Sequence, residues 1–189
     1  KSSPEKVLGV SSGWAEENPQ ALDALLRAVH HASLWCGMPE NHEELASILA
    51  QPQWVGVATE IILRGLRGQL DTGHGTTVVA DFFVASDHAA TFPWASHALW
   101  FYSQMVRWHQ VKPSAEHAAI AGLSYRPDIY RRALKSTGTA LPGASSKVEG
   151  ALKVPTTVGT LQGKLMLGPD GFFDGRIFDP EELDAYLAG

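Results

Sequence analysis

The sequence predicts a helix-rich α/β segment, and three observations carry that prediction. A short apolar run, Val7-Leu8-Gly9-Val10, is bounded by Lys6 and by Ser11-Ser12-Gly13, the pattern of a buried strand. Apolar residues then recur at helical spacing in several separate stretches. Past Gly138 that periodicity gives way to Gly, Pro, Ser and Thr. One strand followed by many helices, with no internal repeat, fits an α/β piece and not a symmetric fold. The expected division is a helix-rich α/β segment over 1–137 and an irregular C-terminal tail over 138–189, with a short strand and a terminal helix.

The elements follow in chain order. Asn18 can cap a helix whose first turn holds Pro19, a position that needs no amide donor. Ala21, Leu22, Leu25, Leu26, Val29 and Ala32 keep its register to about Trp35, and Gly37 and Pro39 end it. Asn41 opens a second helix through Leu45, Ile48 and Leu49, and Thr59 a third through Ile61, Ile62 and Leu66. Residues 68–77 read as a loop by composition. From Phe92-Pro93-Trp94 a long helix should run to Trp108, its stripe Ala98, Phe101, Met105 and Trp108 widened by Leu99, Tyr102 and Val106 and therefore deeply buried. Two further helices are expected near 114–122 and 128–136, a strand over 161–167, and a last helix after Asp179-Pro180 with Leu183 and Tyr186 inward.

Composition excludes several classes. The chain has 189 residues, with 15 Lys+Arg against 20 Asp+Glu and a net charge of −5 that is spread along it. That is no nucleic-acid footprint, which needs a basic face to displace counterions. No apolar run approaches the length of a membrane span. The single cysteine, Cys36, excludes an internal disulfide and a cysteine-based zinc cluster. Lys1-Ser2-Ser3-Pro4 lacks an apolar signal core, so the protein is expected either to be made without one or to begin upstream.

Catalytic patterns are weak. Asp71-Thr72-Gly73 matches the short aspartic-protease triplet but lacks flanking apolar strands, so it reads as a plain loop. The eight histidines form no His-Glu-x-x-His run and no helical i, i+4 pair, which leaves them as partly exposed helix-surface residues. No Gly-x-Ser-x-Gly elbow and no phosphate-binding Gly-x-x-x-x-Gly-Lys-Ser/Thr loop occurs. Cys36 ends an apolar helix and reads as a small packed hydrophobe. Core packing is the expected role of the six tryptophans. No enzyme, catalytic residue, metal or cofactor is expected.

Five blocks in order carry a resemblance. They are Glu5-Lys6-Val7-Leu8-Gly9-Val10 with Trp14-Ala15 and Asn18-Pro19; Ile48-Leu49-Ala50-Gln51-Pro52-Gln53-Trp54-Val55-Gly56; Phe92-Pro93-Trp94 running to Trp108; Arg126-Pro127-Asp128-Ile129-Tyr130-Arg131; and Phe172-Phe173-Asp174-Gly175-Arg176 with Phe178-Asp179-Pro180 and Ala185-Tyr186-Leu187. Together they resemble the nitrate-binding and bicarbonate-binding proteins of bacterial ABC importers. The likeness is to the C-terminal part of that family's two-lobed, periplasmic-binding-protein-like fold, whose lobes close on a ligand by hinge motion.

The resemblance implies one ligand contact here. Nitrate-binding members carry a basic side chain near the start of the returning strand, and Lys6 matches it. Bicarbonate-binding relatives place an acidic residue there and recruit calcium. A lysine offers a compact cation to a monovalent oxyanion, whereas a carboxylate would repel it. Taken alone, Lys6 reads equally as a solvated strand-end charge. The implied function is delivery of nitrate or a similar small oxyanion to the membrane subunits of an ABC importer, from a periplasmic or membrane-anchored position. Residues Val148 through Pro169 resemble instead a tail of cytoplasmic nitrate/nitrite sensors, which implies the alternative of a regulator acting through an antiterminator-type protein.

Overall fold

The computed structural model describes residues 7–160 and 162–188, so Lys6 lies outside the described residues. Among them the chain forms eight α-helices and two separate two-stranded antiparallel sheets. The fold is helix-rich α/β, as the periodicity predicts.

The chain divides into two compact units. One holds the residues up to Arg27 and those from Phe92 onward; the other is Ala28–Thr91. Helix α1 (Ser12–Glu17) was not expected, because Ser11-Ser12-Gly13 reads as a boundary. Ser11 instead caps it, its Oγ accepting from the Trp14 amide at 3.3 Å. Helix α2 (Pro19–Gly37) starts and stops where the Asn18-Pro19 and Gly37 signals put it. Residues 7–10 form no strand; Val7, Leu8 and Val10 are exposed. An apolar run becomes a strand only beside a partner, and no described strand pairs with it.

In the Ala28–Thr91 unit, α3 (His42–Leu49) packs on α4 (Thr59–Leu66). Asn41 leads α3, but its side chain donates backward to the Trp35 carbonyl at 2.8 Å and does not cap the helix. The expected loop over 68–77 is a hairpin, with β1 (Gln69–Asp71) paired to β2 (Thr76–Val78). Its tip is locked locally: the Gly73 amide donates to Asp71 Oδ1 at 2.9 Å and Thr72 Oγ1 to the Gly75 carbonyl at 3.0 Å. Turn chemistry here outweighs the lack of strand-like composition.

The other unit is built around α5 (Ala95–Arg107), α6 (Ala115–Ser124), α7 (Pro127–Leu134) and α8 (Leu183–Ala188). β3 (Thr156–Val158) and β4 (Leu165–Leu167) form a small sheet. The expected strand over 161–167 is thus present at Leu165–Leu167, while Leu161 lies outside the described residues. Phe92 meets Trp94 and Tyr130 edge-on, with ring centres 4.8 and 5.8 Å apart, and Phe178 meets Tyr186 in the same way at 5.0 Å.

The expected apolar burial of α5 is corrected. Its buried residues are Ser96, Ala98, Tyr102, Ser103 and Gln104, while Met105 and Trp108 are exposed. Small polar residues replace bulk there because each finds a hydrogen-bond partner. Trp14, Trp54 and Trp108 are also exposed and only Trp94 is fully buried, so core packing does not hold for all six tryptophans.

Arg126 and Asp128 form a two-pronged pair at the start of α7, with Nε–Oδ1 at 2.8 Å and Nη2–Oδ2 at 2.7 Å. The Arg126 hydrogen bonds hold the Asp128 carboxyl down to about 2. An NMR titration of Asp128 is expected to give that value, and Arg126→Gln to return it toward 3.8. The folded value is the lower one, so the pair's stabilisation is full above pH 3.8 and fades as pH falls to about 2. The pair is exposed, so the loss should stay below about 1 kcal/mol.

Candidate functional site

The most elaborate polar cluster gathers on Glu149, whose residue is only 3% exposed. Ser96 Oγ donates to Oε1 at 2.6 Å, and His97 Nε2 stands 3.3 Å from Oε2. The Lys147 ammonium also pairs with Oε2 and reaches Asp170 Oδ2 at 2.5 Å. Asp170 Oδ1 in turn accepts from the Leu152 amide at 2.8 Å. The backbone of Glu149 bridges that of Phe178 in both directions, at 2.8 and 2.9 Å.

Local structure puts these groups in place. Ser96 and His97 sit in the first turn of α5, while Lys147 and Glu149 alternate along an extended segment and so point the same way. The Lys147 amide donates to Ser96 Oγ at 3.2 Å, which ties that segment to the helix start. Burial alone would push the Glu149 carboxyl up; the hydrogen bonds and electrostatic attraction of His97 and Lys147 outweigh it and leave the group below its usual range. Every oxygen of Glu149 is engaged and Lys147 is neutralised by two carboxylates. The cluster is a fastening, with no free nucleophile and no free cation for an anion.

Arg131 is committed in the same manner. It donates to the carbonyls of Pro142 (2.9 Å), Gly143 (3.1 Å) and Ala144 and to Ser145 Oγ (3.0 Å), and lies 5.0 Å over the Phe92 ring.

The other sequence candidates disperse. Lys6 lies outside the described residues, so no contact of it enters here. Cys36 is half-buried and burial pushes its thiol pKa up, which suits packing and not nucleophilic attack. Asp71-Thr72-Gly73 forms the hairpin tip described above. Two histidines depart from the expected helix surface: His30 and His42 are buried, the latter edge-on to Phe83 at 6.2 Å. Among the described residues no group of three or more His, Cys, Asp or Glu is placed to hold a metal ion. No helix there is long and apolar enough to cross a membrane.

Sequence reasoning missed Ser96, His97, Lys147, Glu149 and Asp170 as a group. Ser96 and Glu149 stand 53 positions apart, and no local spacing signals such a meeting.

Comparison with known proteins adds what the geometry lacks. The NMT1-like family model matches residues 1–50. The nitrate/nitrite binding protein NrtA of Synechococcus elongatus (strain ATCC 33912 / PCC 7942 / FACHB-805) is 35% identical over 98% of this chain and 38% of its own length. The crystal structure of the periplasmic nitrate-binding protein NrtA from Synechocystis PCC 6803 matches with a TM-score of 0.75 at 29% identity, over 95% of this chain and 43% of that one. Over its length the chain is similar in sequence and fold to part of these nitrate-binding proteins. It is also 27% identical to the bicarbonate-binding protein CmpA of the same Synechococcus strain, over 97% of this chain and 39% of that protein. The chain therefore spans about two fifths of the length of these relatives. The first match runs through residues 148–169, so that stretch is shared with a binding protein and is not peculiar to cytoplasmic sensors.

Proposed function

We propose that this chain is part of a solute-binding protein that takes nitrate, or a similar small oxyanion, to an ABC importer from the periplasmic side. The carrying observation is a match to NrtA over nearly the whole chain in both sequence and fold. The relatives are binding proteins, which favours capture over catalysis. They lend no support to a regulator with an antiterminator partner.

Nitrate is favoured over bicarbonate by Lys6. Both anions are monovalent, so this preference rests on the resemblance, in which nitrate-binding members carry a basic residue at that place and bicarbonate-binding relatives an acidic one with calcium. Titration calorimetry of the protein as encoded should show nitrate binding. Lys6→Glu should weaken it by about tenfold or more, since a charge-assisted hydrogen bond is worth about 1.5–3 kcal/mol and the new charge repels the ligand. Heat with bicarbonate but not nitrate would overturn the choice of anion, and an unchanged affinity in Lys6→Glu would overturn the role of Lys6.

A further inference from the structure

We infer a second anion site, built from Arg107, Lys112 and Arg176 and suited to a small molecule with two or more negative charges, of the phosphate class. These residues line a concavity of about 840 Å³ between the end of α5, the 108–113 loop and the end of α8. That volume lies within the range of small-ligand sites. Three permanent cations line it and no Asp or Glu does, in a chain whose net charge is −5.

The two guanidinium groups are held in place before any ligand arrives. Arg176 lies 4.1 Å from the centre of the Tyr186 ring and Nη2 donates to the Tyr186 carbonyl at 2.6 Å. Arg107 stands 6.0 Å from the same ring centre, and its Nη1 donates to Gln104 Oε1 at 2.9 Å. Tyr186 and Gln104 are both buried, so the platform under the charges is rigid. Their distances to the one ring, 6.0 and 4.1 Å, bound the two guanidinium carbons to within about 10 Å of each other, and both side chains line the same concavity, an arrangement suited to an anion with more than one charged group.

Helix capping does not account for this charge. The closing carbonyls of α5 already accept backbone amides: Gln104 from Trp108 at 2.9 Å, Met105 from Gln110 at 2.9 Å and Val106 from His109 at 3.0 Å. Only the Arg176 contact with Tyr186 serves a helix end. Arg107 and Lys112 therefore have no such duty.

The test is titration calorimetry of the protein with inorganic pyrophosphate at low ionic strength, with amide exchange read over residues 105–113. Saturable binding that weakens with added salt, and slower exchange in that loop, are expected. Lys112→Gln and Arg107→Gln should each weaken pyrophosphate binding roughly twofold to fivefold, and the pair more, with nitrate binding unchanged. Lys112 makes no hydrogen bond or ion pair among the described residues, so the effect of Lys112→Gln reads the site and not stability. Absence of saturable heat with pyrophosphate, or equal affinity in the double variant, would overturn the site. Loss of nitrate binding alone would leave it standing and count against the importer reading.

Discussion

Replacing Glu149 by alanine is expected to lower the stability of the unit that carries α5 by about 2–4 kcal/mol, near the low end for breaking a buried ion pair. The discount arises because Lys147 keeps Asp170, 2.5 Å away, when its other partner goes. Ser96 Oγ loses its acceptor in the interior, where a polar group left unmatched costs free energy, and the partly exposed His97 Nε2 loses its partner as well. The backbone bridge to Phe178 remains, so the variant should still fold and melt early by near-ultraviolet circular dichroism. An unchanged melting temperature would remove the cluster's fastening role.

The pH dependence has a definite sign. The folded Glu149 carboxyl lies below its ordinary value of 4.5, because His97 and Lys147 outweigh burial. Its stabilisation is therefore full above pH 4.5 and is lost as pH falls through the lower, folded value. Glu149→Gln should remove that part of the acid sensitivity.

Gly68→Ala is the second large expected effect. Gly68 is buried at φ +65°, and a Cβ there would stand 2.0 Å from the Val79 carbonyl oxygen. The Val79 amide already donates to the Gly68 carbonyl at 2.9 Å, so relief of the clash requires that closing bond to break. Left-handed strain of about 1 kcal/mol adds to overpacking of roughly 1–3 kcal/mol, about 2–4 kcal/mol together. Limited proteolysis should cut the β1–β2 hairpin much faster in the variant. Gly73→Ala is the control: its φ is +78° but nothing lies within 4 Å of a Cβ, so only the strain should appear.

The sequence by itself determined the helices other than α1. Asn18-Pro19, the Gly37 stop, Arg126-Pro127 and Asp179-Pro180 act within a turn or two of where they stand, and α2, α7 and α8 begin or end beside them. Helical propensity, capping and 3.6-residue periodicity are local, so a single sequence displays them. The family blocks were legible for the same reason, as short runs in a fixed order. Tertiary structure alone decided the rest. Val7–Val10 has strand composition without a strand, and Gln69–Asp71 has loop composition within one, because pairing depends on what lies alongside. The buried face of α5 is polar because Glu149, far along the chain, supplies the acceptor that makes burying Ser96 tolerable. Arg107 and Arg176 likewise come together only because α8 sets the Tyr186 ring within reach of both. Such meetings depend on chain closure over many residues, and no local spacing encodes them.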